Sequence, residues 1–226
     1  MSLPTRPNPI RTLPRSTPLR LEALESRDLL ACVLGPGATY DAATGVLAVN
    51  GTNGGDNIAV LVQATDPDSV PGTGDETSDL IVTRNGNQVA SCSLLDVAAP
   101  VNKLVIDGGN GNDNITVDDA VLVAVEADGG NGQDSIDGGG GNDSLSGGNG
   151  KDSLAGAAGD DFLDGGNGAD NLDGGAGADD VNGGNGPDTL TDPDGDQGLD
   201  GGRAPDTING VLEPPRGNRG RGRGPR

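Results

Sequence analysis

Gly129-Gly-Asn-Gly-Gln-Asp-Ser-Ile-Asp137 opens a run of nine-residue units that stay in phase as far as Asn209. In one-letter code the units are GGNGQDSID, GGGGNDSLS, GGNGKDSLA, GAAGDDFLD, GGNGADNLD, GGAGADDVN, GGNGPDTLT, DPDGDQGLD and GGRAPDTIN. Six of the nine satisfy Gly-Gly-x-Gly-x-Asp-x-aliphatic-x at every fixed position, so the run is an array and not a low-complexity stretch. A further full copy lies at Gly108–Thr116 and a weaker one at Gly51–Ala59. The third position reads Asn131, Gly140, Asn149, Ala158, Asn167, Ala176, Asn185, so Asn recurs every 18 residues with a small residue between. The structural unit is therefore two nonapeptides, a coil with two unlike sides. Residues 129–209 make about four and a half such coils, stacked at the inter-strand spacing of about 4.8 Å.

The array resembles the RTX calcium-binding nonapeptide family, and that resemblance implies an all-β fold: a parallel β-roll or β-helix solenoid with 18-residue coils. Each conserved type in the unit has a physical use. Glycine permits backbone turns in which a β-carbon would clash. Aspartate at position six offers a hard anionic oxygen of the kind calcium prefers. Position eight points inward, giving one row of Ile136, Leu154, Leu172, Leu190 and Ile208 and another of Leu145, Leu163, Val181 and Leu199. The resemblance further implies Ca2+ held between position-six aspartates 18 residues apart, together with backbone carbonyls. Carried onto this chain, one side pairs Asp134/Asp152, Asp152/Asp170, Asp170/Asp188 and Asp188/Asp206, and the other pairs Asp143/Asp161 and Asp161/Asp179. The second row stops where Gln197 replaces the acid. Ala204 and Ala157 replace glycines beside Asp206 and Asp161. Asp113 precedes Asp134 by 21 residues, which reads as a coil with a three-residue expansion and brings Asp113 into the first row. Asp192-Pro-Asp-Gly-Asp196 breaks the repeat and resembles the D-x-D-G-D loops of extracellular calcium modules.

Composition agrees with a repeat held by something other than bulk burial. Of 226 residues 42 are glycine, Tyr40 and Phe162 are the only aromatics, and there is no Trp or His. Two inward aliphatics per coil bury too little apolar surface to offset the ordering of 18 residues, so a cation must contribute to folding. Residues 31–213 hold 32 of the 35 acids against Arg84, Lys103, Lys151 and Arg203, a formal charge near −28. Such self-repulsion opposes compaction, and it argues against nucleic acid as a partner for this stretch.

Outside the array the chain divides further. Residues 1–31 read as a disordered leader rich in Pro and Arg, with helical spacing at 20–31. Within it, Leu24-Glu-Ser-Arg-Asp-Leu-Leu-Ala31 resembles a Leu-Glu-Pro-Arg-x-Leu-Leu segment near the start of many large bacterial secreted proteins, with Ser26 in place of proline. That likeness implies sorting to the cell surface. Leu29–Cys32 also resembles a lipoprotein cleavage box, but Glu22, Glu25, Arg27 and Asp28 occupy the place of the apolar stretch such a box needs. Residues 32–107 read as an irregular β region that caps the solenoid, with candidate strands at 46–49, 58–62, 80–83, 89–95 and 104–106, and a further one at 121–125. Asn85-Gly86 suits a tight hairpin, and 66–79 is an acidic loop. The RTX roll proper is expected over 108–212 and a disordered Arg/Gly tail over 213–226. The tail departs from the family's usual C-terminal export signal. Cys32 and Cys92 could form one disulfide in an oxidising compartment. No apolar stretch approaches the roughly 18 residues of a membrane span.

The function expected is calcium binding by a secreted or surface structural or adhesion protein, folded by calcium, with a cell-surface or matrix polymer as its partner. No small-molecule substrate is evident. The absence of His removes Ser-His triads and His-ligated zinc, so the chain is not expected to be an enzyme. Two alternatives stay open: a non-catalytic remnant or accessory of a secreted RTX hydrolase, and nucleic-acid or anionic-polymer binding through the Arg-rich ends.

Overall fold

The computed structural model describes residues 32–65, 77–93, 100–193 and 198–213. The leader and its sorting segment, most of the acidic 66–79 loop, Asp194–Gln197 and the Arg/Gly tail lie outside the described residues.

Short strands form because the sequence alternates an outward polar residue with an inward aliphatic one, Ser135-Ile136-Asp137 being typical. Glycine-rich turns then force a change of direction every nine residues. The result is an all-β parallel solenoid of about six turns with 18-residue coils. An eleven-stranded front sheet and an eight-stranded back sheet face each other, and there is no helix among the described residues. Front strands of the array run in parallel with an offset of 18, so that Ile136, Leu154, Leu172, Leu190 and Ile208 stack directly. Leu145, Leu163, Val181 and Leu199 stack in the back sheet. Both predicted inward rows are thus formed. All their members are buried except Leu199 and Ile208, which are partly buried at the C-terminal end.

The stack continues upstream without a break. Strand Asn114–Val117 sits between Asn57–Thr65 and Ser135–Asp137 in parallel, aligning Ile58, Ile115 and Ile136. In the back sheet Lys103–Gly109 lies between Val46–Thr52 and Ala124–Asp128. The three extra residues of the 21-residue coil fall in the loop after Val117, and the strand expected at 121–125 is displaced to Ala124–Asp128. Asp118 draws that loop into a turn by accepting from the Ala120 amide, which leaves Val121 buried but outside a strand.

The N-terminal coils differ from the array in the energy they draw from burial. Their strands are long enough to send two aliphatics inward from each sheet. Leu47, Val49, Ile58 and Val60 fill one coil, and Leu104, Ile106, Ile115 and Val117 the next. Each array coil has only half as many, so its hydrophobic stabilisation is about half as large. The open front edge is covered by the hairpin Thr77–Arg84/Asn87–Ser93, which turns at Asn85-Gly86 with φ of 52° and 75°. Positive φ at both central residues gives the tight turn expected from Asn-Gly. Strand Cys32–Leu34 adds to the hairpin with Cys32 opposite Cys92, and those two cysteines are disulfide-bonded and buried. Ala38–Asp41 covers the back edge, and the Arg84 guanidinium ties the two together by donating to the carbonyls of Asn50 and Pro36. At the far end Val211–Glu213 folds back over Asp206–Ile208. Both sheets at the N-terminal end and the front sheet at the C-terminal end therefore avoid presenting a free parallel edge.

In calcium-free buffer at neutral pH, amide hydrogen exchange should remain slow in 46–62, 80–92 and 104–117 and be fast in 135–191. Equal exchange in the two regions would contradict this division of stability. With calcium bound, Leu172→Ala should lower stability by about 2–5 kcal/mol, measured by denaturant unfolding.

Candidate metal-binding edges

The two turn edges of the solenoid carry the aspartates. At one edge each turn leads from the back sheet to the front sheet, and Asp56, Asp113, Asp134, Asp152, Asp170, Asp188 and Asp206 stack there. At the other edge the turn leads from front to back and carries Asp143, Asp161 and Asp179. All are buried. Every residue expected from the sequence falls in one of these rows.

A single hydrogen bond, repeated, builds each row. The amide of one aspartate donates to Oδ1 of the next, one coil further on: Asp113 to Asp134 (2.7 Å), Asp134 to Asp152 (2.8 Å), Asp152 to Asp170 (2.8 Å), Asp170 to Asp188 (2.9 Å) and Asp188 to Asp206 (3.0 Å). At the second edge Val125, Asp143 and Asp161 donate in the same way to Asp143, Asp161 and Asp179. One carboxylate oxygen is thereby satisfied. The other, Oδ2, is buried and lacks a hydrogen-bond partner at Asp113, Asp134, Asp143, Asp152, Asp161, Asp170 and Asp188. A buried anionic oxygen without a donor is costly, and its repetition at the same place in successive coils marks a built feature.

The glycines at positions one and four shape the space around these oxygens. A β-carbon built on Gly147 would lie 2.7 Å from Asp152 Oδ2 and 2.8 Å from the carbonyl oxygen of Gly165 in the next coil. The same two kinds of oxygen border Gly129, where the distances are 2.7 Å to Asp134 Oδ2 and 2.9 Å to the Gly147 carbonyl. Any side chain at position one would fill the space that the carboxylate and carbonyl share. At position four, Gly150 has φ of 154° and a β-carbon would collide with the Gly132 carbonyl. Ala157, at position two, is held at φ of 73°, so the substitution beside Asp161 is absorbed as a left-handed alanine.

This donor set fits calcium. Calcium takes six to eight hard oxygens and accepts backbone carbonyls as readily as carboxylates. Among the described residues no three His, Cys, Asp or Glu side chains converge on one point. The oxygens that do come together are those of aspartates and glycine carbonyls of adjacent coils. The carboxylates also need a cation electrostatically. Burial raises the pKa of Asp134 and Asp161 to about 6 and of Asp143 and Asp188 to about 7. The amide bond from the previous coil opposes the rise, and neighbouring carboxylates add to it. Asp113, Asp152 and Asp170 are raised for the same first reason.

Asp56 is the row member that sequence spacing did not single out, although it stands at position six of the weaker copy Gly51–Ala59. It ends the row without an unsatisfied oxygen. Its Oδ2 accepts from the Thr52 amide (2.5 Å) and its Oδ1 from Asn85 Nδ2 (2.6 Å), while Asn85 Oδ1 accepts from the Asn57 amide (2.8 Å). The hairpin turn thus supplies, through Asn85, the donor to Oδ1 that a further coil would have supplied. The pKa of Asp56 is lowered, because these hydrogen bonds together outweigh burial, the largest single effect. The Asn rhythm has a second consequence. Asn110, Asn131, Asn149, Asn167 and Asn185 each donate Nδ2 to Oδ1 of the asparagine one coil earlier at 2.9–3.0 Å, and the ladder begins at Asn53. It fixes the register of the edge that carries the longer aspartate row.

A carboxyl whose folded-state pKa lies above its unfolded value favours the fold when protonated. That contribution is full below about pH 4 and is lost as pH rises through the values near 6 and 7. The metal-free protein should therefore show more β structure by circular dichroism at pH 4 than at pH 8. Protons should also compete with calcium, so the calcium concentration at half-saturation should rise as pH falls below 7. A metal-free chain equally unfolded at both pH values, with a pH-independent calcium midpoint, would refute this electrostatic account.

The family model described as the RTX calcium-binding nonapeptide repeat (four copies) matches residues 128–163 and again 155–190. No curated protein and no solved structure matches the chain. The repeat phase, the parallel 18-residue coils and this match agree: residues 128–190 belong to the RTX calcium-binding nonapeptide repeats, which bind Ca2+.

Proposed function

We propose that the chain is a secreted or cell-surface structural or adhesion module whose repeat coils are ordered by extracellular calcium. The observation that carries this reading is the buried rows of carboxylates, in which Asp113, Asp134, Asp143, Asp152, Asp161, Asp170 and Asp188 each have one oxygen used by the backbone and one left over. In this reading the cations lie between Asp113/Asp134, Asp134/Asp152, Asp152/Asp170, Asp170/Asp188 and Asp188/Asp206 on the Asn-ladder edge, and between Asp143/Asp161 and Asp161/Asp179 on the other. Bound calcium supplies the positive charge that these rows lack. The chain does the rest: Oδ1 locks adjacent coils through the amide bond, Oδ2 and the glycine carbonyls form the binding surface, and the inward aliphatics exclude water from behind.

Two features support an extracellular setting. The roll carries a large negative charge that needs abundant divalent cation, and calcium sites of extracellular modules work at 10⁻⁴–10⁻³ M. The Cys32–Cys92 disulfide suits an oxidising compartment. Among the described residues no helix is long and apolar enough to cross a membrane. The outer faces of the array carry short polar side chains in regular rows, with Ser135, Ser153, Asn171, Thr189 and Thr207 in register along the front sheet. Such a surface suits contact with a hydrated polymer.

Replacing Asp152 and Asp170 together with Ala should lower the number of calcium ions bound per chain, measured by titration calorimetry, by removing the middle of one row. Unchanged stoichiometry would reject the assignments. In the source cell, protein tagged at the C-terminus should be recovered in the medium or be digested by protease added to intact cells. Recovery only from the cytosol would reject the extracellular reading.

A further inference from the structure

Eleven aspartates are buried among the described residues, and ten of them stand at position six of a repeat or repeat-like turn. The eleventh is Asp192, at position one of the broken unit Asp192–Asp200 and only 4 % exposed. Every other position-one residue in the array is glycine. The same unit is the one that has Gln197 in place of the position-six acid. Two departures in one repeat, one gaining a carboxylate and one losing it, call for a common explanation.

The geometry supplies one. Gly138, Gly156, Gly174 and Asp192 are in register along the edge that carries Asp143, Asp161 and Asp179. The amides of Gly138, Gly156 and Gly174 donate in turn to the carbonyls of Ala155, Asp173 and Thr191 at 2.9–3.0 Å. The next coil also pins the backbone at 192, because the Asp192 amide donates to Asn209 Oδ1 at 3.0 Å. A β-carbon at these glycines points at the repeat's own carboxylate. It would lie 2.5 Å from Asp143 Oδ2 at Gly138 and 2.6 Å from Asp179 Oδ2 at Gly174. A side chain at position one is therefore aimed where the position-six carboxylate of its own unit normally sits. It is tolerable only where that carboxylate is missing.

We propose that Asp192 supplies, from position one, the carboxylate that Gln197 lacks at position six, so that this edge carries one more calcium site, shared with Asp179. The inference rests on the calcium reading of the rows. The row that the sequence ends at Gln197 then runs one coil further, and both edges hold cations almost to the C-terminal cap.

The test uses the full chain with calcium as the probe, counting ions per molecule by native mass spectrometry and by titration calorimetry. Asp192→Asn should bind one calcium fewer than the parent while its calcium-loaded circular dichroism is retained. Asp192→Gly combined with Gln197→Asp, which returns the carboxylate to position six, should restore the count. Asp152→Asn serves as the reference for the rows themselves. If Asp152→Asn lowers the count and Asp192→Asn does not, the role of Asp192 is overturned and the rows stand. If neither lowers it, the calcium reading falls and this inference with it. Failure of the double variant to regain the ion would also overturn the exchange.

Discussion

Along each row the amide of one position-six aspartate donates to the carboxylate of the next, and this contact decides most of what the chain can be. It sets the 18-residue offset, because only a residue one coil further on can present Oδ1 to that amide. It buries a full row of carboxylates in turns where water cannot follow. From Asp113 to Asp188 on one edge, and at Asp143 and Asp161 on the other, it satisfies only one oxygen of each, so the contact that registers the coils also leaves an electrostatic cost in those coils. The glycines are required because the second oxygen and a neighbouring carbonyl share the space beside position one. We infer that a fold regular to this degree draws part of its stability from a bound cation. Calcium is the cation whose ligand preferences match carboxylate and carbonyl oxygens in such turns.

The ends of the rows show what the chain does where no cation is needed. At Asp56 the oxygens are taken by Thr52 and Asn85, and the carboxyl titrates below its ordinary value. One coil later, at Asp113, the second oxygen has no donor and the shift reverses. The boundary lies beside the disulfide-closed hairpin. The packing changes one coil later, after Leu104, Ile106, Ile115 and Val117, from coils with four inward aliphatics to coils with two. The N-terminal portion thus has its own means of stability and offers a formed edge on which further coils can order. Adding coils to a formed edge avoids the cost of nucleating the first one, as in other quasi-one-dimensional stacks.

Much of this was legible in the sequence, and the exceptions have physical causes. The strict phase from Gly129 fixed the rows, the inward aliphatics and the two-sided coil. The 21-residue interval placed Asp113 correctly in the first row. Asn85-Gly86 announced its turn through local backbone preference alone. What escaped was long-range register where the period fails. Asn53 and Asn110 adjoin in the ladder although 57 residues separate them, because the hairpin and its flanking loops are spliced into one coil. No spacing rule reaches across such an insertion, so Asp56 was not recognised as a row member and the Cys32–Cys92 distance could not be judged. The Asn rhythm was visible, but its use as an amide ladder depends on side-chain direction, which a repeat pattern does not contain. The strand at 121–125 was misplaced because an apolar run in the expanded loop mimics the strand that follows it.

The central claim is that binding calcium and folding the repeat coils are one event. Far-ultraviolet circular dichroism of the full chain during a calcium titration at neutral pH tests it directly. The account predicts a cooperative gain of β structure from a largely unordered array, with a midpoint at millimolar calcium or tighter, reversed by a strong chelator. A β spectrum that is already complete in chelator and does not change on adding calcium would contradict it.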